Sequence, residues 1–574
     1  MSHNDNEKSV GINRKQTDYS SSGSDNLIAT DSKCVEIDNE SKGFSPSNSE
    51  SGDSVHTLRP ETLERGLKSR HAQLIAIGGA LGTGLFVGSG AVLVACGPAS
   101  LFISYLLMSS VVYFVMQMLA EMTILLPLPG NGPLAFINDF LSPSFGFALG
   151  WNYWYAFSIL VGAEVTAAAV VVEYWTKSVN TAIWITVLLA IIIMMNMTSV
   201  RFFGESEFWF ASIKLIALTC LIITSIVLFF GGGPNHDRLG FRYWKQSAFN
   251  EHLTGGSTGR FLGLWTAIIK SGFSYITSPE VVSTTMGETI APRVNGAKAA
   301  RRFIWRLIFF YALGSLSISV IVSSRDPHLF GGAEDTSGSP FTIAMQNAGI
   351  TGLNHVINAV ILTSAESAGN SFLYAASRAL FSMAQRGNAP KIFAKVNRFG
   401  IPVYSVAVSS MFGLLSYLNV SSASATVFAW LSNISTISGF IAWVTIGAAY
   451  LRWRKAVEYH GILDRVPYKS HFQPYGAYYA IGMLSIITLT NGYAVFFDFN
   501  GADFVAAYIT LPFVAVLYFG HRAYDYYKNG HTKWLVEIKD IDLLTNLDSV
   551  EDDEQHYEIR VPKNIIQKFW YWLA

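Results

Sequence analysis

The feature that most limits what this chain can fold into is a succession of twelve mainly apolar stretches, each near the length of a bilayer crossing. A hydrocarbon core of about 30 Å needs about 20 apolar residues in a helix, and in lipid the backbone must satisfy its own hydrogen bonds. The stretches are 74–95, 100–125, 145–172, 182–200, 208–231, 261–286, 304–322, 355–384, 403–418, 427–451, 476–496 and 504–520. Composition agrees: 51% of residues are hydrophobic and only 14% charged, against roughly 25% in a soluble globular chain. The predicted class is therefore an all-α polytopic membrane protein with twelve transmembrane helices.

Orientation follows from the basic residues of the short loops. With the N-terminus inside, the inner loops hold about 14 lysines and arginines, among them Arg293, Arg386, Arg452 and Arg465, and the outer loops about six. Both termini then lie in the cytosol. Residues 1–70 are rich in serine, asparagine and acidic residues and read as a disordered tail, 71–521 as one membrane domain, and 522–574 as a C-terminal tail. Lys8, Lys15, Lys33 and Lys42 of the first tail suit ubiquitination, and the last residues, "IIQKFWYWLA", suit a membrane interface.

Several functions are excluded or left unsupported. Forty basic and forty acidic residues cancel, so no charge excess speaks for nucleic acid. Three widely spaced cysteines form neither a disulfide framework nor a zinc site. No protease motif or P-loop is present, so the chain reads as neither an enzyme nor an ATP-driven pump, and nothing calls for a cofactor or metal. Energy, if needed, must come from an ion gradient.

Two spans carry signs of a break. The first reads "IAIGGALGTGLFVGSG", and Gly82, Thr83 and Gly84 suit local unwinding that would expose backbone N–H groups to a carboxylate; close helix packing is the other use of such glycines. The sixth contains Pro279, which has no N–H to give and pushes Ser278 out of α geometry, freeing carbonyls near Tyr275 and Ile276. The two spans hold corresponding places in two five-helix halves, where a midplane binding site is expected.

Six ionisable residues lie within the spans: Glu121, Glu164, Lys214, Lys270, Glu280 and Glu366. A charge at the bilayer centre costs about 2.5–3.5 kcal/mol on insertion scales, so such groups face a cavity, pair or become neutral. Glu121 and Glu280 could also be solvated near an interface. Lys270, Phe273, Ser274 and Thr277 share one helical face, so a cation, an aromatic ring and hydroxyls can line one cavity. Lys214 reads either as a tethered cation standing in for a bound metal ion between helices or as a snorkelling lysine. In "ILTSAESAGNSF", Thr363, Glu366, Gly369 and Asn370 form a polar stripe that should face a pathway rather than lipid.

The strings "AIGGALGTGLFVG", "GWNYWYAFSILVGAE", "GESEFWFASIKLIA" and "SAGNSFLYAASRAL" resemble the yeast amino acid transporter family of the amino acid–polyamine–organocation superfamily, and within it look most like fungal proline permeases. The resemblance implies a plasma-membrane proton symporter with a LeuT-like core, helices one to five repeated with inversion in six to ten and two helices outside. It further implies that Gly82, Thr83 and Gly84 take the carboxylate side of an L-amino acid, that the turn from Phe273 through Ser274 to Thr277 takes its amino group, that Glu164 and Lys270 handle substrate, and that Lys214 replaces sodium. The expected substrate is L-proline, with alanine, glycine or 4-aminobutyrate as further candidates. Ubiquitin ligase machinery acting on the N-terminal tail is an expected partner.

One position departs. Where the resemblance leads one to expect "SAWSAGN", this chain reads "SAESAGN", placing Glu366 in the pocket. An ionised Glu366 would suit a basic amino acid such as arginine or lysine; a protonated one, or one paired with Lys270, would leave a neutral substrate feasible. An amino acid sensor that does not transport is the alternative of a different class.

Overall fold

The computed structural model describes residues 82 to 551 apart from 127–131, 177, 277, 281–282, 284–291, 331–338, 351, 421–423, 531–532, 545–546 and 549–550, together with 564. The N-terminal tail with its four lysines, Thr277 and most of the aromatic end lie outside the described residues.

Every regular element among the described residues is helical. The spans are α1 (Gly84–Cys96), α2 (Pro98–Leu125), α3 (Pro143–Glu173), α4 (Thr181–Asn196), α5 (Val200–Phe230), α6 (Gly256–Ser271), α7 (Pro292–Ile321), α8 (Leu353–Gln385), α9 (Val403–Ser410), α10 (Ser424–Tyr459), α11 (Tyr475–Thr490) and α12 (Gly501–Tyr508 continued by Thr510–Asn529). By length and composition, α2, α3, α5, α7, α9 with its continuation, α10 and α11 can each cross a bilayer, and α12 can as a pair bent by 45°. Among the described residues α1 and α4 are shorter, α6 ends at a break, and α8 is diluted by polar residues.

Several starts are written locally. Ser142 accepts a hydrogen bond from the Phe145 amide ahead of Pro143, and Ser199 and Asn180 cap α5 and α4 in the same way. Because Ser199 caps it, α5 begins at Val200, eight residues before the apolar stretch at 208, and so takes in Glu207. Other departures from the sequence reading are modest. Helix α9 passes into a 3-10 helix at Met411–Val420, α10 runs on to Tyr459, and short helices Gly132–Phe140 and Pro340–Asn347 fill two connections.

The neighbour relations repeat with a shift of five. Helix α2 packs on α7, α3 on α8, and α1 on the end of α6, each pairing an element with its counterpart. Likewise α5 lies against α7 and α8 as α10 lies against α2 and α3, and α8 meets α4 as α3 meets the α9 segment. Five spans per half is an odd number, so the second half enters the membrane the opposite way round. This is the inverted 5+5 arrangement, with α11 and α12 outside it, packed on α10 and α3 respectively.

Candidate functional site

The centre of the site is where α1 meets the end of α6. Gly82 is non-helical, and Gly84–Gly88 form a π-helical turn before α1 continues. Opposite, α6 tightens into a 3-10 turn at Gly272–Tyr275 and leaves helical geometry at Ile276, where ψ is 138°. Such irregular backbone at membrane depth is tolerated where it lies against protein or a cavity. A Cβ on Gly84 would lie 2.5 Å from Ser274 Oγ and 2.7 Å from Ser274 Cα, so the two breaks touch only because residue 84 is glycine. Close approach, one of the two uses foreseen for these glycines, is thus seen at Gly84; in place of the foreseen unwinding, Thr83 is helical and Gly84 opens a π-helical turn.

A tyrosine cluster fixes that crossing. The Tyr105 hydroxyl of α2 reaches the Gly84 carbonyl at 3.3 Å and Ser274 Oγ at 2.8 Å. Tyr311 of α7 donates to the Ser274 carbonyl, one of the groups released at the break. Tyr275 donates to the Tyr105 carbonyl at 3.0 Å and lies 2.7 Å from Ser109 Oγ.

Beside the crossing lie the charges. On α3, Glu164 Oε1 accepts from Thr83 Oγ1 at 2.9 Å, while Glu164 Oε2 is buried without a hydrogen-bond partner. Glu366 of α8 is half-buried, neither of its oxygens has a hydrogen-bond partner, and the charge that bears on it is that of Glu164. Small residues bring these helices together: a Cβ on Gly369, one turn beyond Glu366, would lie 2.8 Å from Ile192 Cδ1 and 3.5 Å from Glu164 Cβ. Three carboxylate oxygens are thus left open to donors from outside the chain, and an ammonium group supplies such donors.

Lys214 of α5 is 1% exposed, so it does not snorkel; it lies within the electrostatic reach of both Glu207 and Glu164. Glu207 is wholly buried. Its Oε2 accepts from Ser367 Oγ at 2.8 Å and its Oε1 from Asn370 Nδ2 at 2.6 Å, and Asn370 Oδ1 accepts from Asn196 Nδ2 at 2.8 Å. The sequence reading missed Glu207 because its charge ended the apolar stretch; the signal was its place two helical turns before Lys214, on the same face.

The remaining sequence candidates separate. Phe273 is half-buried and meets Phe428 of α10 edge-on at 5.5 Å. Lys270 is exposed, and its charge bears on Cys96 and His252 rather than on Glu366. Glu121 is bound by the Tyr450 hydroxyl at 2.6 Å and the Ser470 amide at 2.7 Å, and Glu280 by Trp443 Nε1 at 2.7 Å and Tyr153 at 3.1 Å. Both carboxylates tie helices together, buried and not solvated.

The family model described as amino acid permease matches residues 71–536. The chain belongs to the amino acid permease family. It is 50% identical over 531 residues to the proline-specific permease of Emericella nidulans, covering 90% of this chain and 96% of that one. It is 53% identical over 503 residues to the probable proline-specific permease put4 of Schizosaccharomyces pombe, covering 86% and 90%. In fold it is similar to the manganese transporter of Eremococcus coleocola, with a TM-score of 0.51 at 12% identity, over 83% of this chain and 100% of that one. The permease is thus a multi-pass membrane transporter of amino acids.

Proposed function

We propose that this permease imports L-proline together with protons across the plasma membrane by alternating access, with both termini in the cytosol. The observation that carries the substrate is the identity of about half of all positions, over nearly the whole chain, with two proteins named as proline-specific permeases. The site is compatible with it. Gly82, Thr83 and Gly84 lie where irregular backbone can face a carboxylate, and the open oxygens of Glu164 and Glu366 can accept both N–H bonds of a secondary ammonium. Phe273, edge-on to Phe428, offers an apolar wall for the ring, and the Ser274 turn backs it.

Lys214 is the tethered cation of this reading. Held between two carboxylates, it takes the place a metal ion would fill between helices, so proton movement rather than sodium drives uptake. Lys270, exposed at the end of α6, handles substrate on its way to the site.

The test is accumulation of labelled L-proline in cells stripped of their own amino acid permeases. Uptake that rises at acidic external pH and collapses with a protonophore is expected. Indifference to both sinks the coupling, and binding without accumulation sinks transport. Alanine, glycine and 4-aminobutyrate are expected as weaker competitors.

A second reading rests on Glu366. Two carboxylates side by side suit a substrate with a second cationic group, as in arginine or lysine. Competition by those amino acids exceeding that of proline would favour it.

A further inference from the structure

We propose that Glu207 is the positioning residue for Lys214: it holds one side of the ammonium and fastens it to α8, so that a change of partner at Glu164 is passed through the lysine to α8. The proposal rests on the reading of Lys214 as the coupling cation.

Three observations carry it. First, the two carboxylates that bear on Lys214 are unlike. Glu207 has both oxygens engaged, by Ser367 and Asn370 of α8, whereas Glu164 has one oxygen held by Thr83 and the other open. A carboxylate with fixed donors on both oxygens is a fixed anchor; one with an open oxygen can exchange what it binds. Second, the anchor joins separate elements. Glu207 sits on α5, its donors on α8, and Asn370 is itself held by Asn196 of α4 through both its side-chain oxygen at 2.8 Å and its carbonyl at 3.2 Å. The other carboxylate, Glu164 with Thr83, joins α3 to the start of α1. Lys214 is therefore the cation between a fixed group of three helices and the broken helix that faces the substrate.

Third, the geometry assigns the variable pairing to Glu164. An ammonium arriving at Glu164 Oε2 and Glu366 competes with Lys214 for the same carboxylate, while Glu207, the other carboxylate that bears on Lys214, stays held by its own donors. Among the described residues the ionisable groups in this environment are Glu164 on α3, Lys214 on the same helix as Glu207, and Glu366 on α8, which senses the charge of Glu164.

The experiment compares Glu207→Gln, Glu207→Asp and Ser367→Ala in the full chain, at matched surface levels, with two assays on the same cells or vesicles. One is concentrative uptake of labelled proline under an inward proton gradient; the other is counterflow exchange with no gradient. Glu207→Gln keeps the hydrogen-bonding shape and removes the charge. It is expected to cut concentrative uptake by about tenfold or more through its maximal rate, with KM and counterflow close to wild type. Glu207→Asp is expected to recover part of the concentrative rate, and Ser367→Ala, which leaves the charge and removes one donor, to lie between.

Glu207→Gln with wild-type concentrative uptake overturns the proposal. So does a parallel loss of both assays that Glu207→Asp and Ser367→Ala share, since that pattern marks a merely structural role. The underlying reading fails separately: a wild type that exchanges proline without concentrating it under the gradient removes the coupling itself, and this proposal with it.

Discussion

Glu164 is the residue on which the candidate site turns, because among the described residues it joins the start of α1, Lys214 and Glu366: it accepts from Thr83 and its charge bears on the other two. Removing one partner of a buried charge pair costs about 2–5 kcal/mol. Glu164→Gln keeps an acceptor for Thr83 but not the charge, so proline uptake is expected to drop at least about 30-fold at normal surface level. Unaltered uptake would mean that the carboxylate lies outside the substrate's path. Lys270→Ala is expected to act differently. The side chain is exposed and apart from the carboxylates, so its loss should raise KM with little change in maximal rate. Glu366→Trp should narrow the competition profile toward proline by removing one of the two carboxylates. The same profile before and after that change would deny Glu366 any part in specificity. Glu164, Lys214 and Glu366 were legible in the sequence because a charge in an apolar stretch has to be explained. Tyr105 and Tyr311 were not, since tyrosines on apolar helix faces are ordinary and only the fold aims their hydroxyls at the break.

At the scale of elements, the pairing of two interrupted helices was legible from Pro279 and from the glycines around Thr83, but not its exact place: Ser278 is itself helical, with Pro279 tolerated at the start of the new helical stretch, and the break falls earlier, at Ile276. Which glycine makes the contact was not legible, because six glycines occur in that stretch and spacing ranks none of them. The structure separates two of them by what a methyl group would meet. Gly84 faces the backbone and side chain of Ser274, and a Cβ there would lie 2.7 Å from a main-chain atom that cannot rotate away. Gly88, one turn on, has nothing within 4 Å. Gly84→Ala is therefore expected to cost about 1–3 kcal/mol through overpacking, visible as a lower unfolding temperature in detergent, and to abolish uptake. Gly88→Ala should leave both measurements near wild type. Equal damage from the two would mean that general packing of α1, not its crossing with α6, explains the glycines. The early start of α5 shows the opposite limit. A polar helix end reads as loop in any apolar window, so Glu207 fell outside the span that its own cap includes.

At the scale of the whole membrane unit, the C-terminal segment, expected from the sequence only as a tail, packs against the helices. After α12 the chain returns to the bundle. The Val536 amide donates to the Leu141 carbonyl at 2.8 Å, Arg452 donates through Nε to the Phe140 carbonyl at 2.7 Å and also to the Val536 carbonyl, and His460 Nε2 lies 3.1 Å from the Ile541 carbonyl. Ile541, Leu543 and Leu547 are 1%, 1% and 0% exposed. Further along, Arg465 grips Glu551 through two bonds of 3.1 and 2.8 Å, and Arg293 meets the same carboxylate at 3.1 Å while donating to the Arg465 carbonyl at 3.0 Å. The segment thus spans the connection before α3, the start of α7 and the end of α10. Its anchors are the apolar residues, each contributing about 1.5–3 kcal/mol on full burial, whereas ion pairs at a solvated surface contribute little. The Arg465 and Arg293 guanidiniums hold the Glu551 carboxyl below the usual carboxylate range. A carboxyl lowered on folding adds stability that is complete above its unfolded value, about 4.3. That stability is lost only as pH falls through the lower, folded one. Docking of residues 533–551, followed by limited proteolysis in detergent, should therefore be unchanged from pH 7 to 5 and weaken only below about pH 4. Leu547→Ala with Leu543→Ala should release the segment at neutral pH, and Glu551→Gln should not. Release between pH 7 and 5, or on Glu551→Gln alone, would make the ion pairs the true latch.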